Sequence, residues 1–406
     1  MVTLREDYDV LSKRELIPKE VPEYIKDNLN KSFELRPYQI EAISRFIFYY
    51  NDLQKVKPSH LLFHMATGSG KTLLMAANIL YLYKQGCRNF LFFVNSTNII
   101  EKTRDNFLNK QSSKYLFNEK VVIDGKEIPI KEVDNFEVTD PTGINIFFTT
   151  VQGLHSLMNS SRENTLTYED FEDKNIIIIS DEAHHINAWT KNSLGKDETI
   201  AKTTWEHTVT GLFNANKDNI MLEYTATVDL SDQAIKEKYV NKIIYEYTLK
   251  EFRLDGYSKE VKVLQADLND IDRALQSIII SQYRRKIAES NRQNIKPAIL
   301  MKSKTIEESK EFRDKFIEKI KNLKAEDLHK IKEKCSEDNV LKRAFKFFEK
   351  EKITMSNLST ELKEDFNENK CLLLDSNNID EEKQLLVNSL EDKNNQLRVI
   401  FAVNML

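Results

Sequence analysis

Residues 61–83 read LLFHMATGSGKTLLMAANILYLY, and this stretch decides the fold. Its first five residues, LLFHM, form an apolar run of buried-strand length. The last twelve, TLLMAANILYLY, carry apolar residues at helical spacing with no Gly or Pro among them. Between strand and helix stands Ala66-Thr67-Gly68-Ser69-Gly70-Lys71-Thr72. A chain that turns through glycines from a strand into a helix aims several backbone N–H groups, and the positive end of the helix dipole, at one point. That point suits a triphosphate. Gly68 and Gly70 permit the tight turn and let the backbone from Thr67 to Ser69 approach the phosphates. Lys71 would reach the β- and γ-phosphates, and the Thr72 hydroxyl would ligate Mg²⁺. The strict pattern has Gly at position 65, where this chain has Met65.

The chain has 406 residues, enough for two domains with separate cores. Its 60 Lys and Arg against 64 Asp and Glu leave a net charge of -4. No global basic field points to nucleic acid, although a local basic cleft is enough for binding. Cys87, Cys335 and Cys371 are odd in number and scattered, which argues against a zinc site or disulfide frame and fits a reducing cytoplasm. The charged N-terminus has no signal-peptide core, and no later stretch approaches a membrane span.

Around the loop the chain alternates apolar strands with amphipathic helices: NFLFFVNST then NIIEKTRDNFL, INIFFTTVQ then GLHSLM, KNIIIIS then DEAHH. This is the pattern of βαβ units on a parallel sheet, so an α/β fold is expected. Residues 1–32 read as a polar lead-in with short helices. At 35–43 Pro37 opens a helix whose first turn presents Gln39, a candidate reader of an adenine edge because its amide both donates and accepts. The isoleucines 176–179 form a buried strand that ends in Asp181-Glu182, at the carboxyl edge where open α/β sheets bind ligands. Asp181 would hold Mg²⁺ and Glu182 would polarise the attacking water. His184 could sense the γ-phosphate, and Thr225 and Thr227 at the end of NIMLEYTATV could bridge His184 to the pocket. The stretch 115–140 predicts a peripheral hairpin or excursion, and 187–219, with Trp189 and Trp205, an irregular insertion. Residues 231–295 read as mostly charged helix. A second α/β domain, placed at 246–406 after a first at 33–245, holds a charged helical segment at 304–396. The apolar strand LRVIFAVNML at the end predicts a chain cut short of its natural end.

The ordered set LRPYQ (35–39), ATGSGKT (66–72), FFVNST (92–97), FFTTVQ (147–152), DEAHH (181–185) and TAT (225–227) resembles the motifs of superfamily 2 helicases, whose loop begins with Ala. Within that superfamily, FLFFVNSTNIIEKT, DEAHHINAWT and VIFAVNML look like the restriction (Res) subunit of type III restriction enzymes. The resemblance implies a RecA-like P-loop domain with a central parallel sheet, an incomplete second RecA-like domain, ATP with Mg²⁺, and duplex DNA and a methyltransferase (modification) subunit as partners. It gives Asn95, Ser96, Thr97, Thr149, Thr150 and Gln152 the role of holding DNA phosphates. It also implies an arginine finger and a nuclease domain, neither of which these residues contain. Another superfamily 2 repair or remodelling translocase stays open as an alternative. So does a non-hydrolysing, nucleotide-gated scaffold.

Overall fold

A computed structural model describes residues 2–94, 97–137, 139–159, 169–181, 207–258, 268–333, 340–375, 383, 386–387, 389–390, 392 and 394–403. The chain forms two compact units, Met1–Val261 and Lys262–Leu406.

The first unit holds strands β1 (Ser59–Met65), β2 (Asn89–Val94), β3 (Val122–Ile123), β4 (Lys126–Glu127), β5 (Ile130–Glu132), β6 (Ile144–Thr150), β7 (Ile176–Asp181), β8 (Ile220–Thr225) and β9 (Ile243–Tyr247). Seven of them make one sheet in the order β5-β6-β2-β7-β8-β1-β9, and every pairing in it is parallel. β3 and β4 are the hairpin expected near residues 115–140.

Alternation along the strands sorts their side chains onto two covered faces. Leu61, Phe63, Met65, Phe90, Phe92, Ile177, Ile179, Leu222 and Tyr224 share one core. Leu91, Phe93, Ile176, Ile178 and Met221 share another on the opposite face. The helix Lys71–Lys84 lies on the first face and is buried at every position but Thr72 and Lys84. A helix covered on all sides should be apolar all round, and TLLMAANILYLY is so apart from Thr72 at its start and the buried Asn78. The helices Pro37–Asn51 and Glu23–Asn28 pack on it from outside.

The structure revises several expectations. Residues 1–32, read as a polar lead-in, also contribute apolar side chains: Tyr8, Ile17, Val21, Ile25 and Leu29 belong to the first unit's core. The stretch 231–295 contains β9, which pairs with β1, so the first unit runs past residue 245 to Val261. Its sequence, Ile243-Ile244-Tyr245-Glu246-Tyr247, has the β-branched and aromatic content of a strand; the charged helices on either side mask it. Part of 187–219, including Trp189 and Trp205, lies outside the described residues.

In the second unit β10 (Ile299–Ser303), β11 (Cys371–Leu374) and β12 (Val399–Val403) form a parallel sheet in the order β10-β12-β11. β11 falls inside the segment read as helical, 304–396. The helices of that segment are also more than a solvated face, since Phe316, Leu328, Leu341, Phe345, Leu358 and Leu362 build the unit's core. Beside this core Arg398 is buried, with Nη2 donating to Ser281 Oγ at 3.1 Å and Nη1 to Asp365 Oδ2 at 3.4 Å. Among the described residues no helix is long and apolar enough to cross a membrane.

Candidate nucleotide site

β1 ends at Met65 and the helix begins at Lys71, so residues 66–70 are the turn. Gly68 and Gly70 have φ of +81° and +82°, in the left-handed region that other residues enter only at a cost. The turn is closed by Ser69 N–H donating to Ala66 O at 3.1 Å. The Ser69 hydroxyl is 1 % exposed and has no hydrogen-bond partner. Buried polar atoms are normally satisfied, and this one sits inside the turn that the sequence assigns to phosphates.

Two residues of the helix Pro37–Asn51 clamp the turn. Tyr38 Oη donates to Ser69 O at 2.8 Å, and Gln39 Nε2 donates to the same oxygen at 2.9 Å. Gln39 Oε1 accepts from Arg36 N at 2.9 Å, and the residue is 4 % exposed. A primary amide has two N–H groups and two lone pairs. Gln39 therefore braces the loop, and these two bonds use one donor and one lone pair of its amide. Nothing in the sequence distinguishes Tyr38 as a clamp, although it adjoins Gln39. Its ring stacks on Tyr247 of β9, centroids 4.1 Å apart. Burial raises its hydroxyl above the ordinary tyrosine value, so it stays a donor.

Lys71 is 7 % exposed, with Nζ 3.5 Å from Met65 O. Thr72, the next residue, is half-buried. Asp181 ends β7 in register with Tyr224 of β8, which is in register with Phe63 of β1. Neighbours in register on parallel strands share a face, so Asp181 stands on the side of the sheet that the helix Lys71–Lys84 covers, and at the same carboxyl edge as the loop. Two strand spacings separate its backbone from β1, about 10 Å. Tyr224 fills the interval. Its ring stacks on Phe63 at 4.8 Å and its hydroxyl accepts from Asn78 Nδ2 at 2.8 Å. Burial, with Asp181 nearby, pushes that hydroxyl well above its ordinary value.

Thr225 ends β8. Its Oγ1 donates to Thr227 O at 3.1 Å and accepts from Thr227 N at 3.3 Å, so the threonines form a local turn beside the site. At the end of β6 the Thr150 hydroxyl accepts from Gly153 N at 2.9 Å, and Thr149 Oγ1 donates to Thr150 O at 3.2 Å. Any Cβ at Gly153 would lie 2.8 Å from Thr149 Oγ1. Both hydroxyls are thus engaged in starting the helix Val151–Asn159, and Gln152 is the exposed member of the set. Glu182 and His184 lie outside the described residues, as do Asn95 and Ser96; of Thr97 only the backbone, at the start of the helix Thr97–Leu108, is described. Among the described residues no cluster of three or more His, Cys, Asp or Glu could hold a metal alone. Cys87 is buried, and burial pushes its thiol up to about 11, which removes it from nucleophilic chemistry near neutral pH.

A family model described as "Type III restriction enzyme, res subunit" matches residues 32–230. The "Probable type III restriction-modification enzyme HindVIP Res subunit" of Haemophilus influenzae (strain ATCC 51907 / DSM 11121 / KW20 / Rd) is 34 % identical over 429 residues, covering 95 % of this chain and 83 % of that protein. Among solved structures, the ATP-dependent Type ISP restriction-modification enzyme LlaBIII bound to DNA aligns with a TM-score of 0.50 and 13 % identity, over 92 % of this chain and 24 % of its own. This chain thus spans about a quarter of the LlaBIII chain. The Pyrococcus furiosus Hef helicase domain aligns with a TM-score of 0.36 and 14 % identity, over 89 % of this chain and 85 % of its own. The seven-stranded sheet, parallel throughout, makes the first unit an α/β fold with the glycine turn following β1. With sequence likeness over nearly its whole length, the chain belongs to the type III restriction enzyme Res-subunit family.

Proposed function

We propose that the first unit binds ATP with Mg²⁺ at the 66–72 turn and hydrolyses it in response to duplex DNA. In the complete restriction system this would drive a conformational switch or movement along the duplex between recognition and cleavage. The observation that carries the reading is the joint placement of a left-handed glycine turn, a buried and unpartnered Ser69 hydroxyl, Lys71 and Asp181 at one edge and on one face of the sheet.

The Lys71 ammonium and the backbone N–H groups of the turn other than those of Ala66 and Ser69, which donate within the chain, face the phosphates. Gln39 reads the base edge with its remaining donor and acceptor. Thr72 and Asp181 offer a hydroxyl and a carboxylate, oxygen donors of the kind Mg²⁺ takes beside phosphates and water. When bound, the ion neutralises charge that develops on the phosphates. Glu182, next in the chain after Asp181, is the candidate for orienting the attacking water. His184, Thr225 and Thr227 are the candidates for passing the phosphate state to the DNA-facing segments. Gln152, with the backbone around Thr149, Thr150 and Asn95–Thr97, would hold the DNA backbone without reading sequence. Recognition would come from a methyltransferase partner subunit, in the cytoplasm.

The test is phosphate release with and without duplex DNA, in the complete protein, for Lys71→Ala, Asp181→Asn and Glu182→Gln. All three should abolish DNA-stimulated release, and Lys71→Ala should also lose nucleotide binding. Unchanged release in Lys71→Ala and Glu182→Gln would instead favour a scaffold that holds nucleotide without hydrolysing it.

A further inference from the structure

His64 is the last residue but one of β1, and each of its ring nitrogens faces an acceptor. Nδ1 lies 2.9 Å from Glu246 Oε1 on β9, and Nε2 lies 3.3 Å from Ala226 O, between the two threonines of the turn after β8. The residue is 9 % exposed, so water does little to relieve a mismatch. Arg5, from the helix Leu4–Lys13, pairs with the other oxygen of Glu246.

A neutral imidazole carries one N–H. If that N–H serves Ala226, a lone pair faces the Glu246 carboxylate; if it serves Glu246, a lone pair faces the carbonyl. Only the doubly protonated ring donates to both. The surroundings oppose that state. Burial is the largest influence holding the ring below its ordinary value; the Ala226 carbonyl favours the charged form, Arg5 and Lys71 disfavour it, and Glu251 favours it weakly. Of these charges, Lys71 is the one whose effect a bound phosphate would cancel.

We propose that His64 is a positioning residue: it takes up one proton from solvent when phosphates fill the turn beside Lys71, and its second N–H then ties the Thr225–Thr227 turn to β9 and the N-terminal helix. The inference rests on the nucleotide reading above and adds a mechanical link to it. From Glu246 the polar chain continues through Arg5 to Asp9, to Arg45 at 2.8 Å, and to Glu41 at 2.7 Å. Arg45 and Glu41 sit on the helix that presents Tyr38 and Gln39 to the loop. The network therefore starts beside the Thr225–Thr227 turn, passes through Arg5 and Asp9 of the N-terminal helix, and ends on the helix that carries the Ser69 clamp.

The experiment is titration calorimetry of the full chain with a non-hydrolysable ATP analogue and Mg²⁺ near neutral pH, in buffers of different ionisation enthalpy. Comparison uses His64→Gln, whose side-chain amide keeps a donor for Ala226 but cannot charge, and Glu246→Gln, which removes the carboxylate. The wild-type chain should take up more protons on binding than either variant, and its affinity should fall relative to His64→Gln as pH rises. A merely structural histidine would lower stability or affinity without changing the proton count, so equal counts in all three chains overturn the proposal. If either variant fails to fold, the imidazole signals of the wild-type chain, labelled at histidine, give the same answer: one ring's titration midpoint should rise when the analogue is added, and no movement of any midpoint overturns it. Lys71→Ala separates the two readings. Undiminished analogue binding there would sink the nucleotide site itself, whereas lost binding with an unchanged wild-type proton count would sink only the role given to His64.

Discussion

Gly70→Ala isolates what the phosphate turn requires of its backbone. The position has φ +82°, and a Cβ there would lie 2.4 Å from Gln39 Nε2. A left-handed conformation costs a non-glycine residue about 1–2 kcal/mol. Displacing Gln39 also forfeits its bond to Ser69 O, about 0.5–1.5 kcal/mol. The sum, about 1.5–3.5 kcal/mol, corresponds to roughly 10- to 300-fold in a binding constant. Gly68→Ala is the internal control: its φ is +81° and nothing lies within 4 Å of the added Cβ, so it bears only the backbone cost, roughly 5- to 30-fold. Binding of a fluorescent ATP analogue and thermal unfolding should be measured together. The loss falls on affinity if the empty turn relaxes, and on stability if it does not. In a Gln39→Ala background the excess penalty of Gly70→Ala over Gly68→Ala should vanish, as a double-mutant cycle would register. Equal penalties for the two glycines, or an excess that survives loss of Gln39, would refute the clamp.

Further outcomes follow from the packing. Tyr224→Phe strands the Asn78 amide, which is fully buried and whose Oδ1 already lacks a partner; urea unfolding should show a loss of about 1–3 kcal/mol. Phe63→Ala removes the ring stacked on Tyr224 and should cost about 3–5 kcal/mol in the same assay. Glu223 is buried against His60 at 2.8 Å. Burial works to raise its carboxyl, but His60, with Lys238 and Lys242, outweighs it and holds the group below its ordinary value of 4.5. The unfolded chain then binds this proton at higher pH than the folded one, so the stabilisation is complete above the unfolded value and lost as pH falls through the lower folded one. The urea midpoint should drop on acidification through that window, and Glu223→Gln should flatten the drop. In the second unit Arg398→Met leaves Asp365 with Arg285 and Lys370, so its cost should stay at about 1–3 kcal/mol, below that of breaking an isolated buried pair.

The first unit was legible in sequence wherever a strand met its motif, because burial on both faces forces continuous apolar runs such as Ile176–Ile179, and the turn at 66–72 requires glycines at two fixed places. What escaped were features whose meaning depends on long-range pairing. Ile243–Tyr247 reads as a strand only once β1 is there to receive it. Arg5 and Glu246 are ordinary surface charges until the fold places both beside His64. In the second unit Cys371–Leu374 is four residues long and surrounded by helix-forming charge, so no periodicity reveals that it lies against β12. Gln39 was found, but its grip on Ser69 O was not, since a side chain's partner across thirty residues leaves no local trace.

The sheet order also bears on how the chain comes off the ribosome. β1, which leads directly into the phosphate turn, has for neighbours only β8 and β9, and these emerge more than 150 residues later. Until Tyr247 has been translated, the strand that anchors the turn has an open edge on one side or both, and the apolar helix Lys71–Lys84 lacks its full bed. Exposed apolar surface and unpaired edges of this kind are what chaperones bind and what aggregation feeds on. A nascent Res-type chain should therefore stay protease-sensitive and chaperone-dependent through most of the synthesis of its first unit, then close in one late step when its last two strands arrive.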